Sequence, residues 1–140
     1  MVLYRESLTP SLPFHLALAL VIPLGFGMLA PINIGWGIAS AIGFYALALL
    51  IFVVLAPKIV VTDTELRVGR AHIERRFVGD VVVIAANARS ATIADARTWK
   101  LIRGWIPRGV LVTIVDPADP TPNWYCSTRR PEQLVAALAN

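Results

Sequence analysis

A short C-terminal stretch, DPADPTPNWYCSTRRPEQL (residues 116–134), gathers residue types that often do chemistry or bind anions. Asp116 and Asp119 have the side chains of a general acid/base pair, which requires two carboxyl groups in one pocket. Cys126, the only cysteine, would be a nucleophile if a histidine lay beside it to take its proton. Outside the apolar N-terminal segment the chain has one histidine, His72. These residues therefore allow two hypotheses. In the first they form an active site; in the second they form only a turn, a strand and the start of a helix.

Turn chemistry explains the same residues without a reaction. Asp side chains bind nearby backbone N–H groups and proline fixes φ, so Asp-Pro-x-Asp-Pro is typical of a loop. Pro120 and Pro122 keep this loop out of the interior of a sheet. Pro131 suits the first turn of a terminal helix. Cys126 shares one face of a strand with Trp124, so we predict a buried structural thiol.

Metal and nucleotide sites are not predicted. A metal site would have to combine His72, Cys126 and scattered aspartates, which lack the spacing of ligands. The sequence contains no phosphate-binding glycine loop and no nucleophile elbow. We therefore predict no catalytic residue, no metal and no cofactor, and a protein that is not an enzyme.

Charge is distributed very unevenly along the chain. Between Glu6 and Lys58 there is no Asp, Glu, Lys or Arg, and the mean hydropathy of the chain is +0.65. A helix of about 20 apolar residues spans the hydrocarbon core of a bilayer. We predict two such helices, at about 12–30 and 34–56, separated by a turn rich in Pro, Asn and Gly. The second run lacks the polar face of a soluble amphipathic helix, so we assign residues 1–57 to a transmembrane hairpin.

The orientation of this hairpin follows from its flanking charges. The first apolar run is longer than the usual 7–15 residues of a signal peptide, and cleavage would leave Pro31 directly after the cut, so we expect an uncleaved anchor. The turn between the helices carries no Lys or Arg, whereas Lys58, Arg67 and Arg70 follow the second helix. By the positive-inside rule, we predict a multi-pass protein of the cell membrane with both termini in the cytoplasm. A lone cysteine suits a reducing compartment.

Two features inside the helices bear on their packing. Pro23 lies within the first helix, where it removes a backbone hydrogen bond and is expected to cause a kink. Gly35, Ala39 and Gly43 recur every four residues and form a ridge of small side chains. Such a ridge allows a second helix to approach closely. We expect it to pack the second helix against the first; a contact between two copies of the chain is the alternative.

Residues 58–140 have the pattern of a small β domain. KIVVT, ELRV, AHIE, DVVVIAA, GVLVTIVD and NWYCST are strand-length segments rich in Val, Ile and aromatic residues. We expect antiparallel strands, because no connection is long enough for a convincing crossover helix. Residues 87–97 could form a short helix or a loop. The predicted fold class is α+β, with a helical hairpin followed by this β domain and a C-terminal helix.

One segment of the β domain, WKLIRGWIPRG (residues 99–109), combines aromatic and basic side chains. Its candidate contact residues for lipid or a protein partner are Trp99, Lys100, Arg103, Trp105 and Arg108. Tryptophan favours the membrane interface, and each basic residue gains about 1 kcal/mol at an anionic leaflet. The alternative is that both tryptophans pack in the core and the basic groups are only solvated. Nucleic acid is not an expected partner, because the net charge is only +4 and acids are interspersed among the arginines.

The whole chain resembles a family of small actinobacterial membrane proteins defined only as a domain of unknown function. The resemblance depends on YRESL before the first helix, on LRVGRAHIERRFVGDV in the middle and on VTIVDPADPTPNWYCSTRRPEQLVAAL at the end. It implies two transmembrane helices followed by a small cytoplasmic domain. It also implies a pleckstrin-homology-like antiparallel β split barrel closed by the C-terminal helix. The family has no assigned activity, so it implies no catalytic residues.

Two classes of function remain open at this level. The first is a non-enzymatic membrane-anchored adaptor whose β domain binds a protein or a lipid headgroup. The second is an accessory subunit of a transporter or of an envelope-building enzyme, with the chemistry supplied by a partner. Membrane lipids, a protein partner or a second copy of the chain are the partners that these classes require.

Overall fold

The computed structural model describes residues 1–139 and divides into two compact units. The hairpin unit is Thr9–Ala56, and the β unit joins Met1–Leu8 to the chain from Pro57 onward. The predicted boundary assigned residues 1–57 to one domain, so the structure corrects it at the N-terminus. The reason is that residues 2–7 form a strand whose partner begins at Lys58.

The hairpin unit consists of α1 (Leu12–Leu18), α2 (Val21–Leu29) and α3 (Ile34–Val54). Pro23 has no N–H to donate to the Ala19 carbonyl; the Ile22 N–H binds that carbonyl instead, at 3.0 Å. This accounts for the interruption between α1 and α2 and agrees with the disruption expected from Pro23. The Asn33 side chain caps α3 by accepting a hydrogen bond from the Gly35 N–H at 2.7 Å.

The contact between α2 and α3 lies on small residues that the sequence analysis did not select. Gly25, Gly37 and Ala41 are buried. A Cβ atom added at Gly37 would lie 2.8 Å from the Cβ of Ala30, so only glycine fits. The Ser40 hydroxyl donates to the Gly25 carbonyl at 2.6 Å and ties the two helices together.

The predicted ridge on α3 therefore does not hold the hairpin together. Gly35, Ala39 and Gly43 are all exposed. Each of them is two positions away from Gly37 or Ala41 in the sequence. Two positions correspond to a rotation of about 200° around the helix axis, so the two sets of residues lie on different faces of α3. The hairpin contact uses the opposite face of α3, and this corrects the expectation that the ridge packs the second helix against the first.

The β unit begins with a four-stranded antiparallel sheet, here called the first sheet. Its strands are β1 (Val2–Ser7), β2 (Lys58–Thr62), β3 (Glu65–Val68) and β4 (Ala71–Glu74), and they are neighbours in that order. The β3–β4 turn places Gly69 at φ +62°, a conformation that glycine adopts without strain. A 3₁₀ turn, Arg75–Phe77, leads out of this sheet.

The second sheet contains β5 (Val78–Ile84), β6 (Thr98–Leu101), β7 (Gly109–Ile114) and β8 (Asn123–Ser127) in the order β5-β7-β8-β6. The β5–β7 and β7–β8 pairs are antiparallel, but β6 pairs in parallel with β8. This corrects the all-antiparallel expectation. The connection from β5 to β6 crosses to the far edge of the sheet and contains a short helix, α4 (Arg89–Ala94), which resolves the open question about residues 87–97.

Both sheets and the terminal helix α5 (Pro131–Ala139) contribute to one hydrophobic core. In β2 the core side chains alternate with outward ones, as the sequence pattern of that strand predicts. The core includes Leu8, Ile59, Val61, Leu66, Val68, Val110, Val112, Trp124, Cys126 and Leu134. The chain is thus a mixed α+β protein with two apolar N-terminal helices, and its two sheets do not form a closed barrel.

Candidate functional site

The aspartates of the C-terminal stretch serve its turns. The Asp116 carboxylate accepts a hydrogen bond from the Ala118 N–H at 2.9 Å, and Asp119 does the same for Thr121 at 2.8 Å. These are the local side-chain-to-backbone bonds that stabilise loops. Within residues 1–139, no group of three or more His, Cys, Asp or Glu is placed to hold a metal ion.

Cys126 has the surroundings of a structural thiol. It lies in β8 with only 1% of its surface exposed, which confirms that it is buried. Burial disfavours the thiolate and raises the pKa of Cys126 to about 12. Because the thiolate is the reactive form, this side chain is suited to packing rather than to nucleophilic attack.

The two tryptophans of the segment 99–109 pack against the core instead of extending from the surface. Trp99 lies in β6, and its ring centroid is 5.1 Å from that of Trp124. Trp105 is also partly buried and packs against the same core. Ile106, between the basic residues, is almost completely buried. The aromatic part of this segment therefore belongs to the periphery of the core.

The basic side chains of the segment are held by neighbouring elements. Arg108 forms an ion pair with Glu132 in the first turn of α5. Arg103 donates through its guanidinium to the Ile102 carbonyl at 2.8 Å. From α4, Arg89 reaches the carbonyls of Ile106 and Arg103 at 3.3 and 3.4 Å. Lys100 is partly exposed in β6. The part of the segment that follows β6 is thus a loop held by hydrogen bonds and an ion pair, and its most exposed residues are Gly104, Pro107 and Arg108.

A surface depression of about 350 Å³ brings this segment beside the Asp-Pro loop. Its lining residues are Ala96, Arg97, Thr98, Trp99, Pro120 and Thr121. Arg97 is its one charged residue, and it forms an ion pair with Asp95 at 3.6 Å. The depression joins the two stretches that the sequence analysis singled out, but it carries no cluster of reactive side chains.

A buried polar network near the N-terminus was missed by the sequence analysis. Glu6 lies in β1 and is only 8% exposed. Its carboxylate accepts hydrogen bonds from the Tyr4 hydroxyl at 2.7 Å, from the Thr128 hydroxyl, and from the Arg129 N–H at 3.0 Å. Three donors satisfy a charge that would otherwise be costly to bury. Desolvation also raises the pKa of Tyr4 to about 12.

This network joins two stretches that carry the family resemblance. Tyr4 and Glu6 belong to YRESL, and Thr128 belongs to the C-terminal string. The available signal was the alternation of Tyr4, Glu6 and Leu8, which places all three on one face of a strand. The network fixes the corner between β8 and α5 against β1, so its role is to build the β unit.

Comparison with known protein families gives a match over nearly the whole chain. Residues 3–138 match the family described as "Protein of unknown function (DUF3093)". Searches of curated proteins and of solved structures gave no match. The matched residues include the hairpin, both sheets and most of α5. On this match, the chain belongs to the DUF3093 family.

Proposed function

We propose that this protein is a membrane-anchored adaptor without an enzymatic activity of its own. In this proposal the hairpin unit spans the cell membrane, and the β unit binds a protein or a lipid headgroup. The observation that carries it is the exposure of the apolar helices. In each of the two candidate spans, Leu12–Leu29 and Ile34–Val54, only 11% of the most apolar window is buried.

This exposure argues against a hairpin buried inside a soluble protein. Leu24 is 76% exposed, Trp36 66% and Val54 67%. Soluble proteins seldom expose apolar patches of more than a few hundred Å². Lipid tails would cover these side chains, and the helices satisfy their backbone hydrogen bonds internally, as a bilayer requires. A cleaved signal sequence is disfavoured by the length of the first run and by the second span that follows it.

The proposed topology places both termini in the cytoplasm. Lys58, Arg67 and Arg70 are exposed after the second span, whereas the α2–α3 turn carries no charge. The positive-inside rule assigns the charged side to the cytoplasm. A reporter fused after residue 140 should then be active only if it is of the cytoplasmic type. Activity of a periplasmic reporter at that position would overturn this orientation.

Two further parts of the proposal concern fold and origin. The order of an antiparallel sheet, a second sheet and a terminal helix supports a pleckstrin-homology-like β unit, although the parallel strand β6 departs from an all-antiparallel split barrel. We extend the proposal to an actinobacterial origin on the resemblance alone. The absence of enzymatic activity is supported by the protonated, buried Cys126 and by the aspartates that cap turns.

The proposed contact surface of the adaptor is the exposed part of the segment 99–109. Since both tryptophans pack on the core, the contact would be made by Arg103, Arg108 and the backbone around Gly104. Arg89 is not a suitable control position, because it binds the carbonyls of this segment. The net charge of +4 gives no reason to propose nucleic acid as the partner.

Co-purification of the full chain from mild detergent tests this surface. We would compare Arg103→Gln with Arg108→Gln against a control of equal charge, Arg76→Gln with Arg97→Gln. An adaptor that uses the segment should lose its protein partner, or its retained anionic lipid, in the first pair only. Equal retention in both pairs would remove the segment from the proposal.

A second candidate function is an accessory subunit of a transporter or envelope-building enzyme. It is favoured by the exposed ridge of Gly35, Ala39 and Gly43, which is free to accept a helix in another protein or in a second copy. An apolar groove of about 320 Å³ between α2 and α3 includes one residue of this ridge, Gly43, with Met28 and Leu29 on its other side. A stoichiometric partner that is lost in Gly43→Leu, yet kept in Arg103→Gln with Arg108→Gln, would favour the subunit over the adaptor.

A further inference from the structure

The outward face of the first sheet carries charges in rows that the strand register defines. Arg5 lies opposite Val60, and Val60 lies opposite Arg67. Arg67 in turn lies opposite His72, so this row crosses all four strands. Neighbouring strands are about 4.8 Å apart, which gives the row a length of roughly 14 Å. Arg5, Arg67 and His72 are all exposed.

The next row, at one end of the strands, adds two more cations. Lys58 lies opposite Ser7 at the start of β2. Arg70 occupies the β3–β4 turn beside Gly69, whose N–H donates to the Lys58 carbonyl at 2.8 Å. Lys58 and Arg70 lie at this end of the strands, and the row of Arg5, Arg67 and His72 lies two residues, roughly 7 Å, nearer the middle of the sheet. We call these five residues together the basic end of the first sheet.

Acidic residues occupy the opposite end of the same sheet. Glu65 lies opposite Glu74, and Asp63 follows in the β2–β3 turn. At about 3.3 Å per residue, β2 separates the two ends by roughly 13 Å. The row of Arg5, Arg67 and His72 meets β2 at Val60, midway between these ends, so Lys58 and Arg70 are the cations farthest from the acids. At the acidic end, Arg75, Arg76 and the N-terminal amine balance the formal charges of Asp63, Glu65 and Glu74.

Most basic side chains of the basic end take part in no ion pair within residues 1–139. Among residues 1–139, Arg5, Lys58 and Arg70 take part in no ion pair. Arg67 pairs with Glu65 at 3.1 Å. At the acidic end, the N-terminal amine pairs with Asp63. Two of the three unpaired cations, Lys58 and Arg70, lie where the strands end, and the third, Arg5, lies in the next row of the same exposed face.

Chain connectivity relates this edge to the apolar hairpin. The chain leaves the sheet at Ser7 and enters α1 at Leu12, and it leaves α3 at Val54 and returns to the sheet at Lys58. Both connections are made at the basic end. Three residues separate Val54 from Lys58, and three extended residues reach roughly 10 Å.

We propose that the basic end of the first sheet binds the anionic phospholipid headgroups of the bilayer that holds the hairpin. This rests on the membrane insertion proposed above, but it concerns a surface distinct from the segment 99–109. The basic end contacts the headgroups, and the acidic end, with its Asp63–Thr64 turn, points away from them.

The geometry favours a lipid surface over a single phosphate ion. The cations lie in rows across four strands, and they do not converge on one point. Each basic residue near an anionic surface strengthens docking by a factor of roughly five, so three unpaired cations give roughly 100-fold. At the acidic end the carboxylates are balanced by Arg75, Arg76 and the N-terminal amine, so this end gains no such attraction. Docking through the basic end would therefore orient the sheet as well as hold it.

Cysteine labelling of the full chain in vesicles tests this orientation. Ser7→Cys marks the basic end and Thr64→Cys the acidic end, and the native Cys126 is buried and reacts slowly. The vesicles are phosphatidylcholine with or without about one third phosphatidylglycerol, and the reagent is a water-soluble maleimide. We expect Ser7→Cys to react roughly tenfold more slowly in anionic than in neutral vesicles, and Thr64→Cys to react equally in both.

Charge variants provide the matched control. Neutralising Arg5, Lys58 and Arg70 to Gln should remove the protection of Ser7→Cys, with each variant referred to its own rate in neutral vesicles. Neutralising Arg76, Arg97 and Arg130, which changes the net charge equally, should leave the protection intact.

The outcomes separate this inference from the proposed function. If alkaline carbonate extracts the chain from both kinds of vesicle, membrane insertion itself fails and the inference fails with it. If the chain stays in the membrane but Ser7→Cys and Thr64→Cys slow equally, only the docking of the basic end is overturned. Protection that survives in the Arg5, Lys58 and Arg70 variant would also overturn it.

Discussion

The two units of this protein differ in where their large apolar side chains lie: in the core of the β unit, but on the surface of the hairpin unit. In the β unit, the alternating residues of each sheet point into one core, and the charged residues point outward. In the hairpin unit the small residues Gly25, Gly37 and Ala41 are inside, whereas large side chains such as Leu24 and Trp36 are outside. A unit that packs through small residues and exposes large apolar ones has the pattern of helices packed within lipid.

The units also differ in the charged residues that they contain. The hairpin contains no Asp, Glu, Lys or Arg. Within residues 1–139, the β unit buries the carboxylate of Glu6 and surrounds it with three hydrogen-bond donors. This contrast indicates that water supports the fold of the β unit and that an apolar solvent would suit the hairpin.

The largest effect is expected from separating β1 from the β unit. A chain of residues 58–140 lacks β1 and with it the core side chains of Tyr4 and Leu8. The loss of two large buried side chains costs roughly 4–6 kcal/mol, which approaches the whole stability of a small domain. We expect this chain to be unfolded in water, with poorly dispersed amide signals in NMR.

The matched control rejoins the two parts of the β unit. The Leu8 N–H donates to the Pro57 carbonyl at 2.9 Å, so a short glycine linker can replace residues 9–56. This variant should be a folded, monomeric and water-soluble protein. Folding of residues 58–140 alone, or aggregation of the rejoined chain, would contradict the division into two independent units.

Breaking the Glu6 network should destabilise the β unit by an intermediate amount. Glu6→Ala leaves the buried hydroxyls of Tyr4 and Thr128 and the Arg129 N–H without their acceptor, at a cost of roughly 3 kcal/mol. Glu132→Ala removes the exposed ion pair with Arg108, which water and salt screen, so its effect on the free energy of unfolding should be much smaller. Urea unfolding of the rejoined β unit measures both. Equal effects would mean that Glu6 is no more than a surface charge.

The contact between α2 and α3 can be tested by substituting alanine for each of two glycines of α3, which adds one methyl group at each position. At Gly37 the added Cβ meets the backbone and side chain of Ala30 at 2.8–3.0 Å, so Gly37→Ala should weaken the hairpin by roughly 1–3 kcal/mol. At Gly43 nothing lies within 4 Å, so Gly43→Ala should leave the hairpin unchanged. Thermal unfolding in detergent compares them. If Gly43→Ala is the more damaging, the predicted ridge is the true contact.

Alkaline pH should weaken the β unit by a smaller amount. The pKa of Cys126 is raised from 9.0 to about 12 by burial, so the unfolded chain loses this proton at lower pH than the folded one. The stability that this group contributes is complete below pH 9 and is lost as the pH rises toward 12. At pH 10 the loss is about 1–2 kcal/mol. Cys126→Ala should remove this part of the pH dependence; an unchanged profile would place the thiol in contact with water.

Local composition made much of the fold predictable. The hairpin follows from a run without charge, and β2 and β3 follow from alternation within a few residues. The strand in YRESL was missed because its partner, β2, lies beyond the whole hairpin in sequence. The parallel pairing of β6 with β8 was missed for a similar reason, since nothing in either strand specifies its neighbour.

The contact between α2 and α3 and the charged face of the first sheet show a second limit of prediction from sequence. Gly35, Ala39 and Gly43 form one small-residue series in α3, and Gly37 with Ala41 forms another. The choice between them depends on Gly25 and Ala30 of the facing helix, which is tertiary information. Likewise, the basic end of the first sheet becomes visible only when the register brings Arg5 alongside residues from three other strands.

Accessibility of the hairpin turn in intact cells tests the proposed anchor most directly. Ile32, in the α2–α3 turn, is 79% exposed, and Thr64 is exposed in the β unit, while Cys126 is buried. The proposed topology predicts that a membrane-impermeant maleimide labels Ile32→Cys in intact cells and labels Thr64→Cys only after the cells are opened. Labelling of Thr64→Cys from outside, or labelling of neither until the cells are opened, would contradict a hairpin that spans the membrane with the β unit in the cytoplasm.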